Sequence, residues 1–232
     1  MTPLHLLYVD AVHQADPRFW QVLGRALGGE HPPCLVVHGA GDRIERLREA
    51  RGLLPDKALP PGTVERVLRT ETHRIVGWLT DAGVPAVGFH GGDRGLLQRQ
   101  GDGRLTAPGA AGLLDLARRR AVPVVSTLLD ADTVGETAEV VAALARASTP
   151  PARVVLFSRT GRPGLVENGT LRSSAPLEAV SLDDLLHDPA VARTLLGDVG
   201  EIWITSPFGL VHTGGLQGTR LTAQPGKNAI PG

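Results

Sequence analysis

Short runs of β-branched and leucine residues alternate with longer Ala/Leu/Arg-rich segments along the whole chain, and this alternation constrains the fold more than any other feature. Residues His5–Val9, 34–37, 85–89, 123–128, Arg153–Phe157 and 202–205 read as strands. Between them, Pro17–Leu27, 42–51, 63–82, 110–120, 135–147 and 182–196 read as helices; in the third of these, Val64, Val67, Leu68, Ile75 and Leu79 recur at near-helical spacing. Residues 105–108 suit a hairpin arm, and 210–212 and 218–221 suit closing strands. Strands separated by helix-length segments can return parallel to one another, because each crossover has room for a helix. The expected fold is therefore α/β, a three-layer α/β/α sandwich with a mainly parallel central sheet. Residues 53–62 form a Pro-rich loop, 167–175 mark a change of composition, and 224–232 are a Pro/Gly-rich tail. No repeat and no clear linker divides residues 1–232, so one domain is expected.

Charge and cysteine usage exclude several function classes. The formal net charge is zero and aromatic residues make up 3% of the chain, so nucleic acid has neither electrostatic support nor stacking platforms. Cys34 is the only cysteine, which rules out a disulfide within the chain and any cysteine-based zinc site. Histidine spacing of the H-E-x-x-H kind is absent, so no metal site is assigned. The start of the sequence lacks the pattern of a signal peptide, and no apolar run approaches the roughly 18–20 residues of a membrane span. A cytoplasmic protein without a membrane partner is expected. Only Lys57 and Lys227 are lysines among 24 basic residues, so chemistry that needs an ammonium group has just two candidates.

Three strands end in glycine-bearing turns. The first is Val36-Val37-His38-Gly39-Ala40-Gly41-Asp42, where an apolar strand opens through two glycines into a helix. Such a turn lets a ligand approach backbone N–H groups at the positive end of a helix; it is equally what a tight turn with positive φ requires. It is not the dinucleotide fingerprint of an unrelated α/β binder, because Ile44 stands where the third glycine would be. The second turn, His90-Gly91-Gly92-Asp93-Arg94-Gly95, and the third, Ser158-Arg159-Thr160-Gly161-Arg162-Pro163-Gly164, also follow strands. Arginine forks in the third match phosphate oxygens. Turns after parallel strands share the carboxyl edge of a sheet, where a crevice can form. His38 and His90 could border it.

In order and spacing these segments resemble the amino-acid kinase family, and acetylglutamate kinases most closely. Val36–Gly41 is similar to that family's V-V-H-G-G-G turn, and residues 83–97 to its A-V-G-L-S-G-x-D-G-x-L segment. Residues 122–126, the Ala-rich helix around 142–145, the strand 155–158 and the stretch 214–221 follow the order of the later family motifs. The resemblance spans nearly the whole chain. It implies an N-terminal acyl-amino-acid lobe over about residues 1–150 and a C-terminal nucleotide lobe over about 151–232. It also implies ATP- and magnesium-dependent phosphorylation of an acyl-amino-acid carboxylate, as in arginine biosynthesis, and a homodimer or hetero-complex. Phosphate or substrate contacts would fall on His38, Gly39, Ala40, Gly41, Gly91, Gly92, Asp93 and Arg66. Nucleotide contacts would fall on Ser158, Arg159, Gly161, Arg162 and Gly164, with Arg159, Glu136 and Glu139 at catalytic positions.

The chain departs from the family where the chemistry lies. The family's opening K-x-G-G strand corresponds to Leu7-Tyr8-Val9-Asp10-Ala11, with Tyr8 in place of the lysine and Asp10 and Ala11 in place of the glycines. The second family lysine has no counterpart in residues 182–200. The aspartate of the L-T-D strand becomes Arg159, and the substrate motif R-V-T-D is reduced to Arg66-Val67-Leu68-Arg69. Weakened or lost catalysis is expected, with a non-catalytic ligand sensor or a subunit of a hetero-complex as the alternative.

Overall fold

The computed structural model describes residues 3–54, 57, 59–130, 133–213 and 215–223. Eight strands form the main sheet: β1 (His5–Val9), β2 (Cys34–His38), β3 (Ala86–His90), β4 (Val122–Ser126), β5 (Arg153–Phe157), β6 (Ser174–Pro176), β7 (Glu201–Thr205) and β8 (Thr219–Thr222). Their order across the sheet is β6-β8-β7-β5-β1-β2-β4-β3. The six strands from β7 to β3 are mutually parallel, and only the β7–β8 pair is antiparallel. β2, β3 and β4 build one side of β1, with β4 inserted between β2 and β3, and the strands from β5 on build the other side. All six parallel strands therefore end at one edge, and the direction of winding reverses at β1.

The strands form where the sequence predicts because β1, β2 and β4 are apolar on both faces, as a parallel sheet covered by helices demands. On one face Leu6, Leu35, Val125 and Leu156 pack under α5 (Ala111–Arg118), α6 (Thr137–Ala147) and α8 (Pro189–Val199). On the other, Leu7, Val36, Val124 and Phe157 pack under α2 (Pro17–Leu27), α4 (Thr63–Asp81) and the short α9 (Pro207–Leu210). Trp20 of α2 stacks on Trp78 of α4 at a centroid distance of 5.7 Å, fixing that helix pair. Among the described residues no helix is long and apolar enough to cross a membrane.

Local chemistry sets the helix boundaries. Asp16 caps α2 by accepting from the Arg18 N–H at 2.9 Å, and Pro17 occupies the first turn, where its missing N–H costs nothing. The same pairing of cap and proline, Asp188-Pro189, splits the single helix expected over 182–196 into α7 (Leu182–Leu185) and α8. A third, Ser206-Pro207, starts α9 where a closing hairpin with a strand over 210–212 was expected. Residues 167–175, expected as a loop, contribute to a small hairpin (Val166–Glu167 with Thr170–Leu171) and to β6 on the sheet edge. Part of the 53–62 loop and the tail 224–232 lie outside the described residues. Leu23 is fully buried in the core beneath α2. Leu23→Ala is expected to lower unfolding stability by about 3 kcal/mol, measured by urea denaturation, because the cavity cannot fully collapse.

Candidate functional site

A crevice of about 550 Å³ opens at the carboxyl edge, above β1 and β2. Its floor is Tyr8 and the turn Gly39-Ala40-Gly41, and its walls come from Asp10, Ile44, Thr127 and the start of α6 at Glu136-Thr137. His187 and Asp188, between α7 and α8, close one side. Gly41 takes a φ of +60° and packs against the Gln14 amide, which lies 3.4 Å from where a Cβ would sit. The left-handed conformation favours glycine there, while the Gln14 contact is at ordinary van der Waals distance.

Asp10 ends the central strand and begins α1 (Ala11–Ala15). One carboxylate oxygen accepts from the Val12 and His13 N–H groups at 3.0 and 2.9 Å, and the other pairs with His13 Nδ1 at 2.6 Å. Burial alone would raise the Asp10 pKa, but the hydrogen bond and charge of His13 outweigh it and hold the carboxyl below its usual range. The His13 ring lies between Phe19 and His187, at centroid distances of 4.7 and 5.0 Å. Burial, opposed by the charge of Asp10, lowers the His187 pKa. Burial first, and then the charges of Asp188, Asp10 and Glu136, push the Tyr8 phenol well above its ordinary value. The field at the crevice is negative: Asp10, Glu45, Glu136 and Asp188 line it, and no described lysine or arginine does.

Behind the glycine turn lies a buried polar network. The Gln14 amide donates to the Gly39 carbonyl at 3.0 Å and to Glu71 at 3.2 Å. Glu71 is 3% exposed and is paired with Arg43 at 3.1 Å and with Arg74. A buried carboxylate needs such partners to remain charged. Gln14 Oε1 and Thr127 Oγ1, both on residues that line the crevice, are buried without a hydrogen-bond partner among the described residues. Their hydrogen-bonding capacity is unused among the described residues.

No family model matches the chain. It is 27% identical over 222 residues to acetylglutamate kinases from two strains of Chloroflexus aurantiacus, covering 86% of this chain and 86% of theirs. Aspartate kinase from Synechocystis superposes with a TM-score of 0.64 at 16% identity, over 97% of this chain and 40% of that one. An isopentenyl phosphate kinase from T. acidophilum superposes with a TM-score of 0.59 at 13% identity, over 94% of this chain and 99% of that one. The fold is that of the amino-acid kinases. The resemblance read from the order of the motifs thus meets both a sequence match and a structural match.

Within this amino-acid kinase fold, the residues singled out from the sequence do not converge on one crevice. Gly39, Ala40, Gly41 and Glu136 line it. His38 does not: it is fully buried on the α4 face, with Nδ1 against the Gly39 carbonyl at 2.8 Å and Nε2 against Thr72 Oγ1 at 3.1 Å. Gly91 and Gly92 pack against the Leu128 and Leu129 carbonyls, and Asp93 accepts from the His90 N–H at 2.8 Å; His90, Gly92 and Asp93 line a separate cavity of about 220 Å³ with Glu65 and Arg69. The His90 ring is likewise engaged, with Nδ1 2.7 Å from Ser126 Oγ. Arg66 faces a separate groove between α3 (Arg43–Ala50) and α4. Glu139 forms an ion pair with Arg99 at 3.0 Å, away from the crevice. At the end of β5, Ser158 bonds to Thr160, Arg159 donates to the Asp183 carbonyl at 2.8 Å, and Arg162 is exposed. Gly161 and Gly164 have positive φ, and a Cβ on Gly164 would meet Thr219 Oγ1 at 2.5 Å, a structural reason for that glycine.

The sequence reading missed Gln14, Thr127, His187 and Asp188 as residues of the crevice. The Asp188-Pro189 helix start was the one signal that could have placed the last two at a strand edge. Cys34 is fully buried and its thiol is pushed up to about 12 by that burial, which removes it as a nucleophile.

His5 and His38 are each lowered to about 4, chiefly by burial. A histidine whose folded-state pKa lies below its unfolded value binds fewer protons when folded, so its contribution is complete above about pH 6.5 and is lost as pH falls towards 4. Each shift corresponds to about 3 kcal/mol. Urea midpoints measured across this window should fall steeply with decreasing pH, before the lowered carboxyl of Asp10 titrates. A flat profile would contradict neutral burial of both rings.

Proposed function

We propose that this chain is an amino-acid kinase homologue that binds a small molecule in the carboxyl-edge crevice and has lost most of its capacity for phosphoryl transfer, serving as a ligand-binding sensor or a subunit of a hetero-complex. The observation that carries this reading is the charge of the lining, four carboxylates with no described lysine or arginine. Phosphoryl transfer rests on positioning and on cationic stabilisation of the transferring group. Losing one preorganised donor costs on the order of 10²–10³ in rate. Here the seat is also filled from within, since the Asp10 carboxylate holds the Val12 and His13 N–H groups that an incoming phosphate would need.

The resident groups do not fit a magnesium nucleotide. Both oxygens of Asp10 are committed, and no group of three or more His, Cys, Asp or Glu suited to a metal ion occurs among the described residues. The likeness to acetylglutamate kinases supports an acyl amino acid as the ligand class, and the carboxylates around the crevice favour a ligand that carries an amine or amide donor. A homodimer is expected from the same likeness.

A second reading, a residual ATP-dependent carboxylate phosphotransferase, is favoured by the acetylglutamate kinase match over 86% of the chain. Arg159 is the arginine whose charge reaches His187 at the crevice wall. Incubation with ATP, magnesium and N-acetylglutamate, followed by hydroxylamine trapping, separates the two. The expected result is no hydroxamate above background, together with a raised melting temperature in N-acetylglutamate or glutamate, since a ligand of the native state stabilises it. Hydroxamate that disappears in Arg159→Ala would establish the kinase instead.

A further inference from the structure

The opposite edge of the sheet carries its own cavity, about 940 Å³, beneath the starts of β1, β2 and β5. Its charged lining is three arginines, Arg118, Arg120 and Arg153, against one glutamate, Glu30. Glu30 is 93% exposed and reaches only Arg120, at 3.7 Å, so it does little to offset the group. Arg118 is held by donating to the Thr149 carbonyl at 2.5 Å. Arg153 lies over the Trp203 ring, 5.3 Å from its centroid, and its guanidinium N–H donors have no hydrogen-bond or ion-pair partner among the described residues. No carboxylate lies within 4.0 Å of either Arg118 or Arg153 among the described residues.

His5 adds an independent sign of a ligand. It pairs in register with Arg153 on the neighbouring strand, lines the same cavity and is 2% exposed. Neither ring nitrogen has a hydrogen-bond partner among the described residues. Leaving a buried polar group without a partner is unfavourable, and a native protein rarely carries one without a reason.

We propose that this amino-terminal edge is a second binding site, which takes a small oxyanion, a carboxylate or a phosphate group, between the Arg153 and Arg118 guanidiniums and the His5 imidazole. The guanidinium forks match the paired oxygens of either group. The imidazole N–H gives a third donor and is relieved of its isolation. The site is distinct from the carboxyl-edge crevice in both position and charge, and it stands whether or not that crevice retains any activity.

Isothermal titration calorimetry of inorganic phosphate, and separately of citrate, into the full chain at constant ionic strength tests the proposal. One saturable site per chain is expected for at least one of the two anions, and which one binds identifies the group. Arg153→Gln and Arg118→Gln, neither in the buried core, should each weaken binding by about tenfold while leaving the circular dichroism spectrum unchanged. In the wild-type chain the ¹⁵N resonances of the His5 ring should move with the same saturation curve. No saturable binding of either anion, unchanged affinity in both variants, or a His5 ring that does not respond at saturation would each overturn the assignment.

Discussion

A parallel sheet covered on both faces leaves no room for polar side chains along its central strands. The three middle strands β1, β2 and β4 are buried at every position, and helices close over them from either side. Polar chemistry is pushed to the strand ends. The two edges of this sheet have then diverged in sign. At the carboxyl edge the central strand runs into Asp10 and a ring of carboxylates, and at the amino edge it begins at His5 beside Arg153.

The carboxyl edge of such a sheet is where helix starts present unpaired N–H groups, and anions normally gather there. In this chain the anion is internal. Asp10 accepts from α1, pairs with His13, and lines the same crevice as Glu136 at the start of α6. The glycine turn keeps its shape because the Gln14 amide bonds its carbonyl and ties it to the buried Glu71. The glycine turn and helix starts stand at the carboxyl edge, while the charged side chains that line the crevice are carboxylates.

Much of the fold was legible because the strands and helices obey simple periodicities. The runs His5–Val9 and Arg153–Phe157 are apolar at nearly every position and bounded by polar residues, and both are strands with the expected limits. The misreadings share a cause. In Asp188-Pro189 and Ser206-Pro207 a capping side chain and a proline open a helix inside a segment whose hydrophobic pattern continues across the break. The crevice was harder to read. The Gly39–Gly41 turn declared itself through its glycines, but whether His38 points into the crevice or under α4 depends on strand parity against a helix distant in sequence. The turns at Gly91 and Gly161 look alike in sequence, yet one is packed against Leu129 and the other is open, a difference of tertiary contact alone.

All three tryptophans belong to or pack against the apolar cluster on one face of the sheet. Trp20 and Trp78 lie nearly coplanar, 22° apart, close enough for their excited states to couple, so the optical activity of the pair depends on α2 and α4 remaining docked. Trp203 lies beneath the Arg153 guanidinium and packs against the same apolar cluster, so its emission follows both that contact and the packing of this face. The native chain thus carries intrinsic fluorophores that report on whether this face of the sheet and its covering helices remain packed together.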